Sequence, residues 1–232
     1  MALYAIADLH LSEAVEKPMD VFGGAWENYR EKIITGFQKT LKSGDVLVVA
    51  GDVSWGINLD EALLDFKLLS SFPAKKLIVK GNHDLWWDTV TKMKRFLNQN
   101  DIFDIDFIYN NSILYENIAL CGTRGWFYEE EQDDHSEKIF RRELIRLEAS
   151  LKAAEGLGAR QIYAFLHYPP LCQNYRCPEI LSLLQRYGVS KCFYGHLHGF
   201  GHRLAKEGVF DGVEFRFIAA DYLNFTPLRV IS

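Results

Sequence analysis

Residues 46–52 read VLVVAGD, five apolar residues followed at once by a glycine and an aspartate. An uninterrupted apolar run of this length is typical of a strand that is buried on both faces of a parallel sheet. Two further stretches resemble it: ALYAIAD at residues 2–8 is apolar up to its aspartate, and KLIVKGNHD at residues 76–84 has three apolar residues between two lysines before its glycine. We therefore predict three parallel strands that end on polar residues, at the edge where α/β sheets present their ligands.

Helical patterns separate these strands. Apolar residues at helical spacing run from Trp26 to Leu41, and a capping box at residues 58–61 begins a second helix that continues toward Ser71. A third helix is predicted from near Leu85 to about residue 98. Alternation of strand and helix implies parallel strands with right-handed crossovers, so the predicted fold class is α/β.

After residue 105 the predicted elements become shorter. Four more strands are expected, at residues 106–109, 113–121, 162–166 and 192–194. A long helix is predicted from residues 134–137 to Gly156, and the tail from residue 203 to 231 is predicted to form antiparallel strands with a turn at Asp211-Gly212. Because no linker divides the chain, we predict a single domain over residues 1–232.

The composition is that of a globular protein and narrows the class of partner. Hydrophobic residues make up 48% of the 232 residues, charged residues make up 25%, and the formal net charge is −5. The negative charge argues against extended nucleic-acid binding. No apolar run reaches the length of a membrane span, the first residues form a strand and not a signal peptide, and the four cysteines form no paired motif. These features predict a cytoplasmic protein with reduced thiols and no membrane contact.

Five of the seven histidines lie in motifs with metal-binding residue types. In chain order the motifs are Asp8-Leu9-His10, Gly51-Asp52, Gly81-Asn82-His83-Asp84, His167 and Gly195-His196-Leu197-His198. Residues two apart in a regular strand face the same way, so Asp8 and His10 can reach one ion, and the two oxygens of Asp52 can bridge two ions. Mixed nitrogen and oxygen ligands suit Mn, Fe, Zn, Co or Ni, with manganese favoured.

Two divalent ions predict chemistry on a phosphate ester. They neutralise the phosphoryl oxygens and lower the pKa of a shared water toward ~7, so that a bridging hydroxide attacks phosphorus. His83 remains as a general acid outside the ligand set. Asp84 is a candidate to orient the ring of His83 or, equally, a carboxylate in the first turn of the next helix. Arg124 is a candidate phosphate ligand or a surface arginine.

Other residues near these motifs have weaker predictions. Six aromatic residues could line a pocket for a planar group, although packing at the rim and in the core is the favoured reading, namely Trp55, Trp86, Trp87, Trp126, Tyr168 and Tyr175. The acidic run at residues 129–134 is predicted to be a solvated loop and helix start. His135 is predicted at a helix N-terminus, and His202 on a strand.

The ordered motifs resemble the pattern of the calcineurin-like metallophosphoesterase superfamily, which is D-x-H, G-D, G-N-H-[DE], H and G-H-x-H. The resemblance extends from Asp8 to His198 and implies a four-layer α/β/β/α sandwich with two mixed sheets and a dinuclear metal centre. It also implies His83 as the catalytic histidine. The ligands that it implies for one ion are Asp8, His10, Asp52 and His198, and for the other ion Asp52, Asn82, His167 and His196.

The resemblance implies metal-dependent hydrolysis of phosphomonoester or phosphodiester bonds in a small phosphorylated substrate. Protein substrates are disfavoured, because protein phosphatases of the superfamily have an arginine and an aspartate after G-D where this chain has Val53-Ser54-Trp55-Gly56. Nucleotide pyrophosphates are an alternative substrate. A second alternative is a catalytically silent scaffold, although such relatives usually lack residues that this chain retains. The oligomeric state does not follow from the sequence.

Overall fold

The computed structural model describes residues 1–126 and 134–231, which form two compact units. Unit 1 consists of Met1–Phe107 and Ile218–Ser232, and unit 2 of Ile108–Phe217. Residues 129–133 of the predicted acidic loop lie outside the described residues, and residue 134 begins a helix. That residues 1–232 make up one domain stays a prediction.

Strands and helices alternate along the first half of the chain, as predicted. In chain order the strands are β1 (Leu3–Ile6), β2 (Val46–Ala50), β3 (Lys75–Val79), β4 (Ile105–Phe107), β5 (Ser112–Tyr115), β6 (Ile118–Thr123), β7 (Gln161–Leu166), β8 (Leu171–Cys172), β9 (Tyr175–Arg176), β10 (Val189–Tyr194), β11 (Gly208–Phe210), β12 (Val213–Phe217) and β13 (Leu228–Ile231). The α-helices are α1 (Tyr29–Thr40), α2 (Leu59–Ser70), α3 (Val90–Gln99), α4 (Asp134–Glu155) and α5 (Pro178–Arg186). Short 3-10 helices cover Met19–Phe22, Gly24–Trp26 and Gly199–Leu204.

Unit 1 is built on a five-stranded sheet with the order β13-β1-β2-β3-β4. The strands β1 to β4 are parallel to one another, and β13 pairs antiparallel with β1 at the edge of the sheet. The predicted apolar strands are almost wholly buried, and they share one hydrophobic core with α1, α2 and α3 through residues such as Phe37, Phe66 and Leu97. The carboxyl ends of β1, β2 and β3 therefore meet at one edge of the sheet.

Unit 2 contains a six-stranded sheet with the order β11-β12-β10-β7-β6-β5. Its central strands β6, β7, β10 and β12 are parallel, while β5 and β11 pair antiparallel at the two edges. Leu147 and Leu151 of α4 and Leu184 of α5 are buried. Two mixed sheets accompanied by helices confirm the predicted α/β class.

The strand predicted at 106–109 is β4, which pairs with β3 as a fourth parallel strand. The prediction for the tail was wrong, because its pairing partners are far apart in sequence. The tail is not wholly antiparallel: β12 is parallel to β10, and β13 belongs to the sheet of unit 1. In addition, the single strand predicted at 113–121 is a hairpin of β5 and β6, with Glu116 in the left-handed region at its turn. The turn at Asp211-Gly212 is confirmed.

One of the three predicted helix starts in unit 1 is confirmed, and the other two helices begin later than predicted. The capping box of α2 is confirmed, since Asn58 Oδ1 accepts a hydrogen bond from Glu61 N at 3.0 Å. The first helix begins at Tyr29, because Trp26 lies in a 3-10 helix and Asn28 has a φ of 53°. The helix after the G-N-H-D motif begins only at Val90.

The structure also bears on the predictions for the cysteines and for membrane contact. All four cysteines are buried and make no disulfide. Within the described ranges, no helix combines the length and the apolar character that crossing a membrane requires.

Candidate metal and phosphate site

The D-x-H motif follows β1 and pairs with the G-D loop that follows β2. Asp8 N donates to Gly51 O and His10 N donates to Asp52 O, each at 2.9 Å. Because of this pairing Asp8 and His10 have φ values of 63° and 48°, so the prediction that they lie in a regular strand was wrong. Asp52 also has a positive φ, of 51°. Such strained backbone in non-glycine residues clusters at functional sites.

Asp8, His10 and Asp52 are close enough to share a cation. One carboxylate oxygen of Asp8 lies within 4.8 Å of an imidazole nitrogen of His10, and the same or the other oxygen lies within 4.8 Å of a carboxylate oxygen of Asp52. Nε2 of His10 lies 3.7 Å from Oδ2 of Asp52, and none of the three residues is more than 3% exposed. Two buried carboxylates repel each other, and a divalent cation offsets that repulsion. The donor set therefore fits a metal ion with mixed nitrogen and oxygen ligands.

The carboxylate of Asp84 joins the G-D loop to the G-N-H-D loop. It is completely buried and accepts hydrogen bonds from the backbone N–H groups of Asp52 (3.0 Å), Val53 (2.9 Å), Ser54 (3.4 Å) and Gly81 (2.7 Å) and from Trp86 Nε1 (3.1 Å). Burial, and then the charge of Asp52, raise the pKa of Asp84 to about 7. Asp84 lies six residues before α3 and holds the two loops in one arrangement.

Gly81 leaves no room for a side chain, which gives a testable prediction. A Cβ at this position would lie 2.1 Å from Oδ1 and 2.2 Å from the backbone N of Asp52. We expect Gly81→Ala to lower the free energy of unfolding by about 3 kcal/mol in urea denaturation, because Asp52 must move.

The control for Gly81 is Gly156→Ala. A Cβ on Gly156 would lie 3.5 Å from Ala153 O, an ordinary contact. We expect a change within about 0.5 kcal/mol for this variant. Equal destabilisation by the two substitutions would contradict the close approach of Gly81 and Asp52.

His83 lies beside these residues and is only partly buried. Its backbone N donates to Asp52 Oδ1 at 2.8 Å, which places the residue next to the carboxylate of the G-D motif. The ring centroid of His83 is 5.7 Å from that of His10 and 4.4 Å from that of Trp55. Asn82, the preceding residue, is also partly buried. The motif thus places an imidazole beside the candidate cation cluster of unit 1.

A second buried carboxylate, Asp65 of α2, accepts hydrogen bonds from the segments that follow the D-x-H and G-D motifs. Its Oδ2 accepts the hydroxyl hydrogen of Ser54, and its Oδ1 accepts from Glu13 N at 2.8 Å. Arg30 donates to Glu13 from Nε at 2.5 Å and from Nη2 at 2.9 Å. The segments after the D-x-H and G-D motifs are therefore tied to α2 and α1. Burial raises the pKa of Asp65 from 3.8 to about 6.

The raised pKa of Asp65 predicts a pH dependence of stability. The folded protein favours the protonated carboxyl of Asp65. The contribution of Asp65 to the free energy of unfolding is therefore greatest below pH 3.8 and is lost as the pH rises through about 6. Between about pH 4.5 and pH 8 this loss amounts to about 2 kcal/mol. We expect Asp65→Asn to reduce the pH dependence of the unfolding free energy by that amount. An unchanged dependence in urea denaturation would show that Asp65 is not the group responsible.

The histidines of unit 2 follow two adjacent parallel strands. His167 follows β7 and is completely buried, while His196 and His198 follow β10 and are partly buried. The rings of His167 and His196 are 5.1 Å apart, and Gly195 N donates to His167 O at 3.0 Å. His196 has a φ of 75°, again in the left-handed region. Unit 2 thus brings together imidazole groups, the second type of ligand that the sequence predicted.

Arg124 follows β6 and lies close to this histidine pair. Its backbone carbonyl accepts hydrogen bonds from the N–H groups of His167 (3.2 Å) and Tyr168 (2.8 Å). The guanidinium lies 6.0 Å from the ring of Tyr168, which in turn contacts His196 at 4.4 Å. Its Nη2 is 3.4 Å from Oε1 of Glu143. Arg124 therefore lies beside imidazole groups, and a guanidinium is a side chain that suits anionic groups.

Two histidines, His135 and His202, lie outside the motifs. His135 is exposed near the N-terminus of α4, as predicted. His202 lies in a 3-10 helix, so its prediction as a strand residue was wrong. A nitrogen of His202 lies within 4.8 Å of one of His198.

Two buried carboxylates that support the site, Asp65 and Glu143, were not predicted. Glu143 is 3% exposed and accepts the hydroxyl hydrogen of Thr123 at 2.6 Å. Both residues lie on the apolar faces of their helices, three residues after the buried Ala62 and Phe140. An acidic residue on an apolar helix face is the sequence signal that could have identified them.

Comparison with known proteins gives one family match and several similar solved structures. A family model described as calcineurin-like phosphoesterase matches residues 1–200. The structure of the phosphopantetheinyl hydrolase of Mycobacterium tuberculosis is similar with 18% sequence identity and a TM-score of 0.62, over 99% of this chain and 95% of that chain.

Two further solved structures are similar. One is a protein of unknown function from Aquifex aeolicus, with 16% identity and a TM-score of 0.50 over 98% of this chain and 95% of that chain. The other is from Thermus thermophilus, with 13% identity and a TM-score of 0.51 over 84% and 81%. No curated protein matches the chain. At these identities the structural similarity establishes the fold.

Proposed function

We propose that this chain, which belongs to the calcineurin-like phosphoesterase family, is a metal-dependent hydrolase of phosphomonoester or phosphodiester bonds. The observation that carries the proposal is the buried cluster of Asp8, His10 and Asp52 at the ends of two parallel strands. A cluster of two carboxylates and one imidazole is costly to bury unless it binds a cation. The family match supplies the reaction class that such a cation supports.

We infer that seven residues bind two divalent ions, in the division that the family pattern implies. One ion takes Asp8, His10, Asp52 and His198, and the other takes Asp52, Asn82, His167 and His196. When bound, such ions neutralise phosphoryl oxygens and lower the pKa of water. The ligand types suit manganese, iron, zinc, cobalt or nickel, and Mn²⁺ is the ion for the first tests.

In this proposal His83 protonates the leaving oxygen of the ester or stabilises its charge. Three observations support the role: the ring is only partly buried, it lies near His10, and its backbone is fixed to Asp52. A general acid must be accessible to substrate and held in place, and His83 satisfies both conditions. Asp84 contributes by holding the loop that carries His83, through the hydrogen bonds described above.

Arg124 is proposed to bind a phosphoryl or neighbouring anionic oxygen of the substrate. Its ion pair with Glu143 is long at 3.4 Å, and no residue within the described part of the chain accepts a hydrogen bond from its buried Nε. A guanidinium has five N–H donors, so it retains donors for an anion. The proposed substrate is a small phosphorylated compound whose anionic oxygens can accept these hydrogen bonds.

The substrate class is tested with metal-stripped protein and added Mn²⁺. We expect turnover of p-nitrophenyl phosphate or bis-p-nitrophenyl phosphate, and the ratio of the two rates distinguishes a phosphomonoesterase from a phosphodiesterase. A nucleoside triphosphate tests the alternative of a nucleotide pyrophosphatase, and a phosphopantetheinyl compound tests the reaction for which the Mycobacterium tuberculosis relative is named. Absence of turnover on all four, with two ions bound, would instead favour the catalytically silent scaffold.

A further inference from the structure

The indole ring of Trp55 contacts two residues of the proposed site. It stacks on the imidazole of His10, with ring centroids 4.9 Å apart and planes inclined by 25°. It also lies 4.4 Å from the ring of His83, inclined by 51°. A single side chain therefore contacts both a proposed metal ligand and the proposed general acid.

The backbone places Trp55 in register with the D-x-H motif. Trp55 N donates to Leu11 O at 2.9 Å, and Leu11 N donates to Val53 O at 3.0 Å. The residue before Trp55, Ser54, donates its hydroxyl hydrogen to the buried carboxylate of Asp65. The loop that carries Trp55 is thus fixed to the segment that carries His10.

Packing holds the indole ring without help from its N–H group. Nε1 of Trp55 is buried, and nothing in residues 1–126 or 134–231 accepts a hydrogen bond from it. Because this indole N–H has no acceptor among those residues, replacing Trp55 removes no hydrogen bond. The ring of Trp26 also contacts His10 in an edge arrangement, with centroids 5.7 Å apart, so two aromatic rings pack against this imidazole. A phenylalanine at position 55 can therefore supply the same kind of contact.

We propose that Trp55 is a positioning residue that restricts the ring orientations of His10 and His83. The inference rests on the proposed function, in which His10 binds a metal ion and His83 acts on the substrate. A metal-binding histidine must direct one ring nitrogen at the ion, and loss of a group that orients such a ligand typically weakens metal binding about 10–100-fold. A misplaced general acid lowers the rate of the chemical step while substrate binding is retained.

The test compares Trp55→Leu, Trp55→Met and Trp55→Phe with the control Trp87→Leu. Trp87 belongs to the same unit, and its ring packs on Trp86 and Phe107. For each variant we would measure the Kd for Mn²⁺ by electron paramagnetic resonance, kcat and KM for p-nitrophenyl phosphate, and the thermal midpoint. Trp55→Met, with a longer and flexible side chain, provides the comparison if Trp55→Leu does not fold.

We expect the two aliphatic variants at Trp55 to weaken Mn²⁺ binding about 10-fold and to lower kcat at least as much, with KM nearly unchanged. Trp55→Phe should restore both quantities to within about threefold of wild type, because it keeps the stacked ring. Trp87→Leu should lower the thermal midpoint yet leave Mn²⁺ affinity and kcat unchanged.

The inference is overturned if folded Trp55→Leu or Trp55→Met binds Mn²⁺ and turns over as Trp87→Leu does, or if Trp55→Phe is no better than the aliphatic variants. Absence of turnover in wild type would be a failure of the proposed function. The Mn²⁺ affinities of the Trp55 variants would still decide whether the ring positions His10.

Discussion

Replacing His83 with asparagine is expected to lower kcat by about 10²–10⁴-fold, the usual contribution of a general acid. Asparagine keeps the backbone N–H that donates to Asp52 Oδ1, so the loop and the ligands should remain in place. Since His83 is not in the proposed ligand set, the Mn²⁺ content of the variant should equal that of wild type. The measurement is steady-state turnover of p-nitrophenyl phosphate together with metal analysis of the same sample.

The matched control for His83→Asn is His135→Asn. His135 is exposed and lies near the N-terminus of α4, outside every motif, so the same substitution should leave kcat and metal content unchanged. Turnover of His83→Asn within a few-fold of wild type at saturating Mn²⁺ would remove His83 from the mechanism. A joint loss of turnover and bound metal would instead make His83 part of the metal site.

Replacing Asp84 with asparagine is expected to lower the free energy of unfolding by about 3 kcal/mol or more. The carboxylate accepts three hydrogen bonds on Oδ1 and two on Oδ2, and an amide keeps only one of these oxygens. At least two buried N–H donors therefore lose their acceptor, at about 1–3 kcal/mol each. The same change releases Asp52, so Mn²⁺ binding should weaken in parallel. Urea denaturation and Mn²⁺ titration measure the two effects.

The control for Asp84→Asn is Asp60→Asn in the first turn of α2. Asp60 is exposed, and loss of its charge should cost less than about 1 kcal/mol, the usual effect of a carboxylate at a helix N-terminus. If Asp84→Asn is as stable as wild type yet inactive, Asp84 acts directly in catalysis, and its proposed role as the link between two loops is wrong.

The strand ends of the site were predictable because local sequence determines them. VLVVA is apolar over a full strand length and KLIVK has three apolar residues at its centre, and the residues that follow these strands must leave the sheet at its carboxyl edge. The structure places Asp52 and Asn82 after these strands, as predicted. The α/β class follows from the same alternation.

Side-chain contacts around the site were less predictable, because they depend on which distant segments pack together. The positive φ of Asp8 and His10 results from pairing with residues 51–53, some 43 positions away in the sequence. Trp55 was expected in the rim or core, and nothing in its neighbours indicates that its ring stacks on His10. The placement of β13 beside β1 likewise depends on a partner at the opposite end of the chain.

A titration of metal-stripped protein with Mn²⁺, in which bound metal and turnover are measured on the same samples, tests whether two ions act in hydrolysis. Without metal we expect negligible hydrolysis of whichever p-nitrophenyl ester the metal-loaded protein hydrolyses. Turnover should rise to a plateau when two ions are bound per chain, as expected if two ions act together on one phosphoryl group. Undiminished hydrolysis by protein kept in excess chelator, or a plateau reached with a single bound ion, would contradict the proposed dinuclear hydrolase.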